Sequence, residues 1–271
     1  MHENSPFACI YLPLPDVDPY LQRIGFAGPA EASLPCLKKL MMCHLCSVPF
    51  ENLDVFHGRK IPSLNTEDMF KKIVAEKRGG YCFELNGLFW RLLESIGFKT
   101  WCCAAKIVLN RDYPMPLVHR IILVELEEKK YFCDVGFGGP VPACPIEIQT
   151  KETVCDVSGR KYRFVIENGW TTIMLWKEDR FIPLMTFRDE PCDPVEFVPL
   201  NTFCACSPHE PFMHKNMVHI ATEEGRCAID GNVLRITTKD TVSETVLASE
   251  QQLREALEAN FGIVYDGELR Y

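Results

Sequence analysis

The segment RGGYCFELN, Arg78 to Asn86, sets a cysteine behind a glycine pair and at the start of a strongly helical pattern. The first turn of a helix leaves backbone N–H groups unsatisfied, and together with the helix dipole they favour negative charge. A thiol placed there is eased towards thiolate, the nucleophilic form. Cys82 is therefore the candidate nucleophile among fourteen cysteines, and Gly79 and Gly80 before it leave room for a ligand against the backbone. Such a nucleophile needs a base, and the base needs a group that orients it. His119, which opens HRIILVEL, and Asp134, within YFCDVGFGG, have the right types. Each also has a plain structural reading: a packed cysteine, a strand-opening histidine, a turn aspartate.

Spacing alone does not bring the last two together. If EEKK, Glu127 to Lys130, is a tight hairpin turn, Asp134 pairs with Leu123. That is the face of His119, but four residues, roughly 13 Å, along the strand. The two then meet only through a longer turn, a strong bend or another pairing, and the sequence leaves these open.

The remaining cysteines point to packing. Cys43 and Cys46 form one CxxC without a second close pair, and Cys102/Cys103 and Cys204/Cys206 have the wrong spacing for a metal. No metal is expected. A chain of 271 residues can build a core without a disulfide framework, so these thiols are expected to serve as small buried hydrophobes.

Three helices precede the nucleophile's neighbourhood or carry it. SLPCLKKLMMCHLCS keeps helical spacing from a Ser33 cap, and TEDMFKKIVAEKRGG runs from a Thr66 cap candidate to Gly79. The third is clearest: Leu85, Leu88, Phe89, Leu92, Leu93 and Ile96 share one face, and Gly97 stops the helix. Beyond Phe98, WCCAAKIVL, HRIILVEL, KYFCDVGF, KYRFVIENG and TTIMLWKE alternate like strands of an antiparallel sheet or small barrel. Past Pro199 the pattern mixes strands with a last helix, SEQQLREALEANFG, where Ser249 and Gln252 are set for a capping box.

Composition excludes several classes. A formal net charge of -8 argues against nucleic-acid binding. No run approaches the roughly 18 apolar residues of a membrane helix. Pro13, Pro15 and Asp16 break the apolar start, which lacks a signal peptide's charged n-region. A cytoplasmic enzyme without membrane partners is the expectation; oligomeric state is not legible.

The chain resembles the arylamine N-acetyltransferases along nearly its whole length, through VPFENLDV (48–55), RGGYCFELN, His119, DVGFGG (134–139) and NTFCACSPHEPF (201–212). The resemblance implies an α+β fold: an N-terminal helical bundle (1–98), a central antiparallel β-barrel (99–199) and a C-terminal α/β lid (200–271). It implies a Cys82–His119–Asp134 triad of papain-like design, acetyl-CoA as co-substrate, and an arylamine, arylhydrazine or arylhydroxylamine as acceptor. By the same resemblance Phe50, Ile107 and Phe137 line the acceptor slot. Gly138, Phe203, Ser207 and His209 contact CoA, although His209 and Glu210 stand where small hydroxyl residues are more usual. The alternatives are an amide hydrolase or amide-forming acyltransferase on the same triad, and a non-catalytic module that kept the fold.

Overall fold

The computed structural model describes residues 5–140, 142–149, 154–155 and 159–271. Its helical part comprises α1 (Val17–Arg23), α2 (Leu34–Ser47), α3 (Leu53–Phe56), α4 (Thr66–Phe70) and α5 (Cys82–Ile96). Ser33 caps α2, its side chain accepting the Cys36 N–H. Asn65, not Thr66, is the N-cap of α4; the Thr66 hydroxyl instead donates to the Leu12 carbonyl. Nor does that helix run to Gly79, because a π turn over Lys71–Ala75 ends it at Glu76. The apolar face of α5 is buried from Leu85 to Leu93 and partly buried at Ile96, and Gly97 closes the helix with φ +99°, a conformation costly for residues with a Cβ.

The large sheet holds β2 (Lys99–Ile107), β3 (His119–Leu126), β4 (Lys129–Cys133), β5 (Ile146–Glu147), β6 (Val154–Cys155), β7 (Lys161–Glu167), β8 (Trp170–Lys177) and β9 (Arg180–Phe187). The order is β5-β4-β3-β2-β9-β8-β7-β6, all antiparallel. Among the described residues β5 and β6 are the two edge strands and do not pair with each other, so the expected barrel is an open one. Phe132, Phe164 and Phe187 meet inside the sheet. Strand β9 escapes the sequence pattern because it carries Pro183, a residue poor in ladders. Pro183 pairs only with Met174, at an irregularity in β8, while β2 reaches only residues 185–187.

A second sheet contains β1 (Phe50–Glu51), β10 (Met217–Ala221), β11 (Arg226–Asp230), β12 (Val233–Thr237) and β13 (Val242–Val246), in that order. Helix α7 (Glu250–Phe261) packs on it through Leu253, Leu257 and Phe261, capped by Ser249 as expected. The N-terminal part thus lends a strand, β1, to the C-terminal sheet. Helix α6 (Phe197–Cys206) crosses between the parts. Pro199 falls in its first turn, where no N–H bond is lost.

Candidate active site

Cys82 is the first residue of α5, with Tyr81 as N-cap. Glu84 Oε2 accepts the Tyr81 N–H at 3.1 Å, while Oε1 holds Lys72 Nζ at 2.8 Å. Burial pushes the Glu84 carboxyl up to about 7, against the pull of Lys72. Lys72 also reaches Asp54 at 2.7 Å, and Arg78 binds Glu51 at 2.6 Å and Asp54 at 3.2 Å. This buried ionic cluster ties the Arg78–Tyr81 stretch to β1 and α3. The glycine pair serves that packing more than ligand access: a Cβ on Gly79 would sit 2.0 Å from the Pro49 carbonyl oxygen. Glu51 N–H donates to Gly80 O at 2.8 Å, completing a backbone bridge that only a bare chain allows.

The hairpin question resolves by one residue. The β3–β4 turn is centred on Glu127 and Glu128, with φ of 51° and 64°. Leu126 pairs with Lys129, and the register continues to Ile122 opposite Cys133. Shifting a turn by one residue shifts register by two, so Asp134 comes level with Ile121, about 7 Å from His119 along the strand. The strand ends at Cys133 rather than continuing through Phe137, and Asp134 turns out of the sheet. The remaining gap closes: His119 Nε2 lies 2.6 Å from Asp134 Oδ2. A left-handed Glu-Glu pair is an unusual turn centre, which is why composition did not reveal it.

With Nε2 on Asp134, Nδ1 is the nitrogen left for sulfur, and the charges of His119 and Cys82 act on each other. Cys82, His119 and Asp134 are 3%, 2% and 0% exposed. Burial alone would lower the His119 imidazole, but the charges of Asp134 and Cys82 lift it to about 10. Burial pushes the Cys82 thiol up and the His119 charge pulls it back. The net displacement is upward, so helix-end placement does not by itself bring this thiol low, and the His119 charge is what opposes the burial. The two groups titrate as a coupled pair, each favouring the charge of the other.

Asp134 is itself held. Its Oδ1 accepts from Asn86 Nδ2 at 2.8 Å and from the Gly136 N–H at 2.8 Å. Asn86 also donates to Arg120 O at 2.5 Å and accepts the Val135 N–H at 2.9 Å. Sequence reasoning missed Asn86, although its i+4 position after Cys82 puts both on one face of α5. Gly136 leaves no room for a side chain, since a Cβ there would lie 2.9 Å from Cys82 Cα.

The other expected site residues divide. Phe137 stands edge-on to the His119 ring, centroids 5.5 Å apart. Phe50 is buried against Phe212 and fills the space where a Cβ on Gly138 would go. Ile107 ends β2 between the two main cores. Phe203 lies exposed on α6, Ser207 caps that helix, and the Ser207 hydroxyl accepts the N–H of exposed His209. A cavity of about 370 Å³ is lined by Val48, Phe50, Val135 and Gly138 on one side and by His219, Arg226, Arg160 and Lys239 on the other. It includes neither Ile107 nor Phe203, Ser207 or His209, and it opens on the 135–139 loop rather than on the sulfur. A neighbouring cleft of about 490 Å³ shares Arg160, Arg226 and Lys239. Burial and then Arg160 lower the Arg226 guanidinium, and burial with both arginines drops His219 to about 4. The basic residues come from distant segments, and no sequence motif marks them.

A family model described as N-acetyltransferase matches residues 33–270. The chain is similar to the arylamine N-acetyltransferase of Mycolicibacterium smegmatis, 30% identical over 253 residues covering 92% of each. It is 42% identical over 135 residues to that of Escherichia coli strain K12, a match spanning 49% of this chain and 48% of that relative. Among solved structures, Mycobacterium marinum arylamine N-acetyltransferase in complex with CoA matches with a TM-score of 0.85 and 26% identity, over 92% of this chain and 93% of that one.

Proposed function

The chain belongs to the arylamine N-acetyltransferase family, and from that membership we propose that Cys82, His119 and Asp134 carry its reaction. The activity is acetyl transfer to an arylamine. The observation that supports the assignment is the His119 ring bonded to Asp134 and electrostatically coupled to Cys82 in a site shielded from water. In the first half-reaction the Cys82 thiolate attacks the acetyl thioester of acetyl-CoA. Backbone N–H groups at the α5 N-terminus suit the oxyanion that forms, and CoA leaves with the His119 proton. An arylamine, arylhydrazine or arylhydroxylamine then attacks the acetyl-cysteine, and His119 takes its proton. Arylamines are largely neutral near pH 7 and keep a free lone pair. Amide replaces thioester, so the transfer runs downhill.

Phe50, Ile107 and Phe137 are the proposed acceptor walls; the Phe137 ring against His119 supports the last of these. For CoA, the basic cleft of Arg160, Arg226 and Lys239 suits the phosphates, and Gly138 adjoins it. Phe203, Ser207 and His209, at the end of α6, are proposed contacts from the lid side. The divisions proposed at 1–98, 99–199 and 200–271 separate the helices through α5, the large sheet and the lid sheet, although the second cuts α6 and β1 joins the lid sheet. Thirteen free thiols among the described residues support a reducing, cytoplasmic setting. No described helix is long and apolar enough to cross a membrane.

Incubation with acetyl-CoA alone should add one acetyl group to the intact mass. The adduct should vanish on addition of an arylamine and be absent from Cys82→Ser. An unmodified mass, with turnover of an amide instead, overturns the proposal in favour of a hydrolase.

A further inference from the structure

Val118 immediately precedes the triad histidine, and its carbonyl oxygen receives two thiols. Cys82 Sγ lies 3.9 Å from it and Cys204 Sγ 3.5 Å. Cys204 comes from α6, is 0% exposed, and is close enough to Cys82 for its sulfur to disfavour charge on Cys82. Other buried thiols are engaged elsewhere; Cys102, for example, accepts from Arg120 Nε at 3.3 Å. The α6 helix is locked in this position: the Tyr81 hydroxyl binds Asn201, and Asn201 Nδ2 donates to Pro62 O at 2.9 Å. The second sulfur is thus held on the same carbonyl oxygen as the first.

We propose that Cys204 is the resolving thiol of Cys82, converting a hydroperoxide-oxidised nucleophile into an intramolecular disulfide. The Cys82 thiolate attacks the peroxide oxygen, giving Cys82–SOH, and the alkoxide or hydroxide released takes the His119 proton. Cys204 sulfur then attacks Cys82 sulfur, hydroxide leaves, and the Cys204 proton joins it as water. Two thiols and one hydroperoxide become one disulfide, one alcohol or water, and one further water. Roles are set by environment. Cys82 faces an imidazolium, whereas burial and the Glu210 carboxylate keep Cys204 protonated and off the oxidant. The bond stops acetyl loading but spares Cys82 from sulfinic acid, which thiols do not reverse. This rests on Cys82 being the nucleophile proposed above.

The test treats the protein with a slight excess of hydrogen peroxide. Wild type should lose activity and two hydrogens in mass, yield a linked Cys82–Cys204 peptide pair, and recover with dithiothreitol. Cys204→Ser keeps a donor for the Val118 carbonyl. It should accumulate dimedone-reactive Cys82 and then sulfinic acid, and recover little. A link from Cys82 to another cysteine, no link at all, or equal recovery of the two proteins overturns the proposal. The wild-type link needs no variant, so a misfolded Cys204→Ser would not decide the matter. Acetyl loading of both proteins before oxidation separates the two readings. Loading that fails overturns nucleophile and resolving role together, whereas loading without a link overturns the resolving role alone.

Discussion

At the residue scale the site depends on which group holds which proton. His119 is lifted to about 10, so its charge is present below that pH and lost above it. The rate of Cys82 alkylation by iodoacetamide should therefore stay nearly flat from pH 7 to 9. An isolated thiol near pKa 8.5 would gain more than about tenfold over the same range. In His119→Ala the profile should become steep, because burial then opposes ionisation unaided. A steep wild-type profile would mean a neutral resting thiol. Asn86 acts through Asp134. Replacing it with alanine removes one donor from the carboxylate and strands the Val135 N–H. We expect a stability loss of about 1–3 kcal/mol, and kcat reduced at least tenfold with KM for acetyl-CoA little changed. Equal kcat in variant and wild type would show that Asp134 needs no such support.

At the scale of elements, a turn decides whether base and acid meet. Glu127 and Glu128 hold left-handed conformations that cost a non-glycine residue about 1 kcal/mol or more. Asn-Gly at these two positions should raise the melting temperature by several degrees while leaving kcat within twofold. One residue inserted between them should abolish activity, since it displaces Asp134 relative to His119. Activity that survived the insertion would show that the 134–139 loop, not the hairpin, sets the acid. The α5 helix was legible from its apolar period and its Gly97 stop, because both are local. Strand β9 was not, because Pro183 is tolerated only where a neighbouring strand stops short.

The whole molecule carries a net charge of -8, yet it gathers Arg160, Arg226 and Lys239 where the large sheet faces the lid sheet. Glu223 and Glu224 line the same cavity and limit its field. Reversing one charge, Arg226→Glu, should raise KM for acetyl-CoA about tenfold or more with kcat nearly kept. In wild type that KM should climb with ionic strength, as exposed ion pairing is screened over about 10 Å at 0.1 M salt. An unchanged KM in both experiments would move the cofactor's phosphates elsewhere, with the exposed end of α6 the next region to examine.

What the sequence by itself determined is local chemistry and its carriers: a cysteine opening an amphipathic helix, a histidine opening a strand, and the family motif that joins them to Asp134. Helical period, caps and residue types act within a few positions, so they survive reading in one dimension. Only the tertiary structure decided how far His119 stands from Asp134, that Asn86 braces the acid, and that Cys204 shares a carbonyl with Cys82. It also decided that Gly79 and Gly80 serve backbone packing. These outcomes turn on strand register and on contacts between segments tens of residues apart. A one-residue shift in a turn changes them without altering any pattern along the chain.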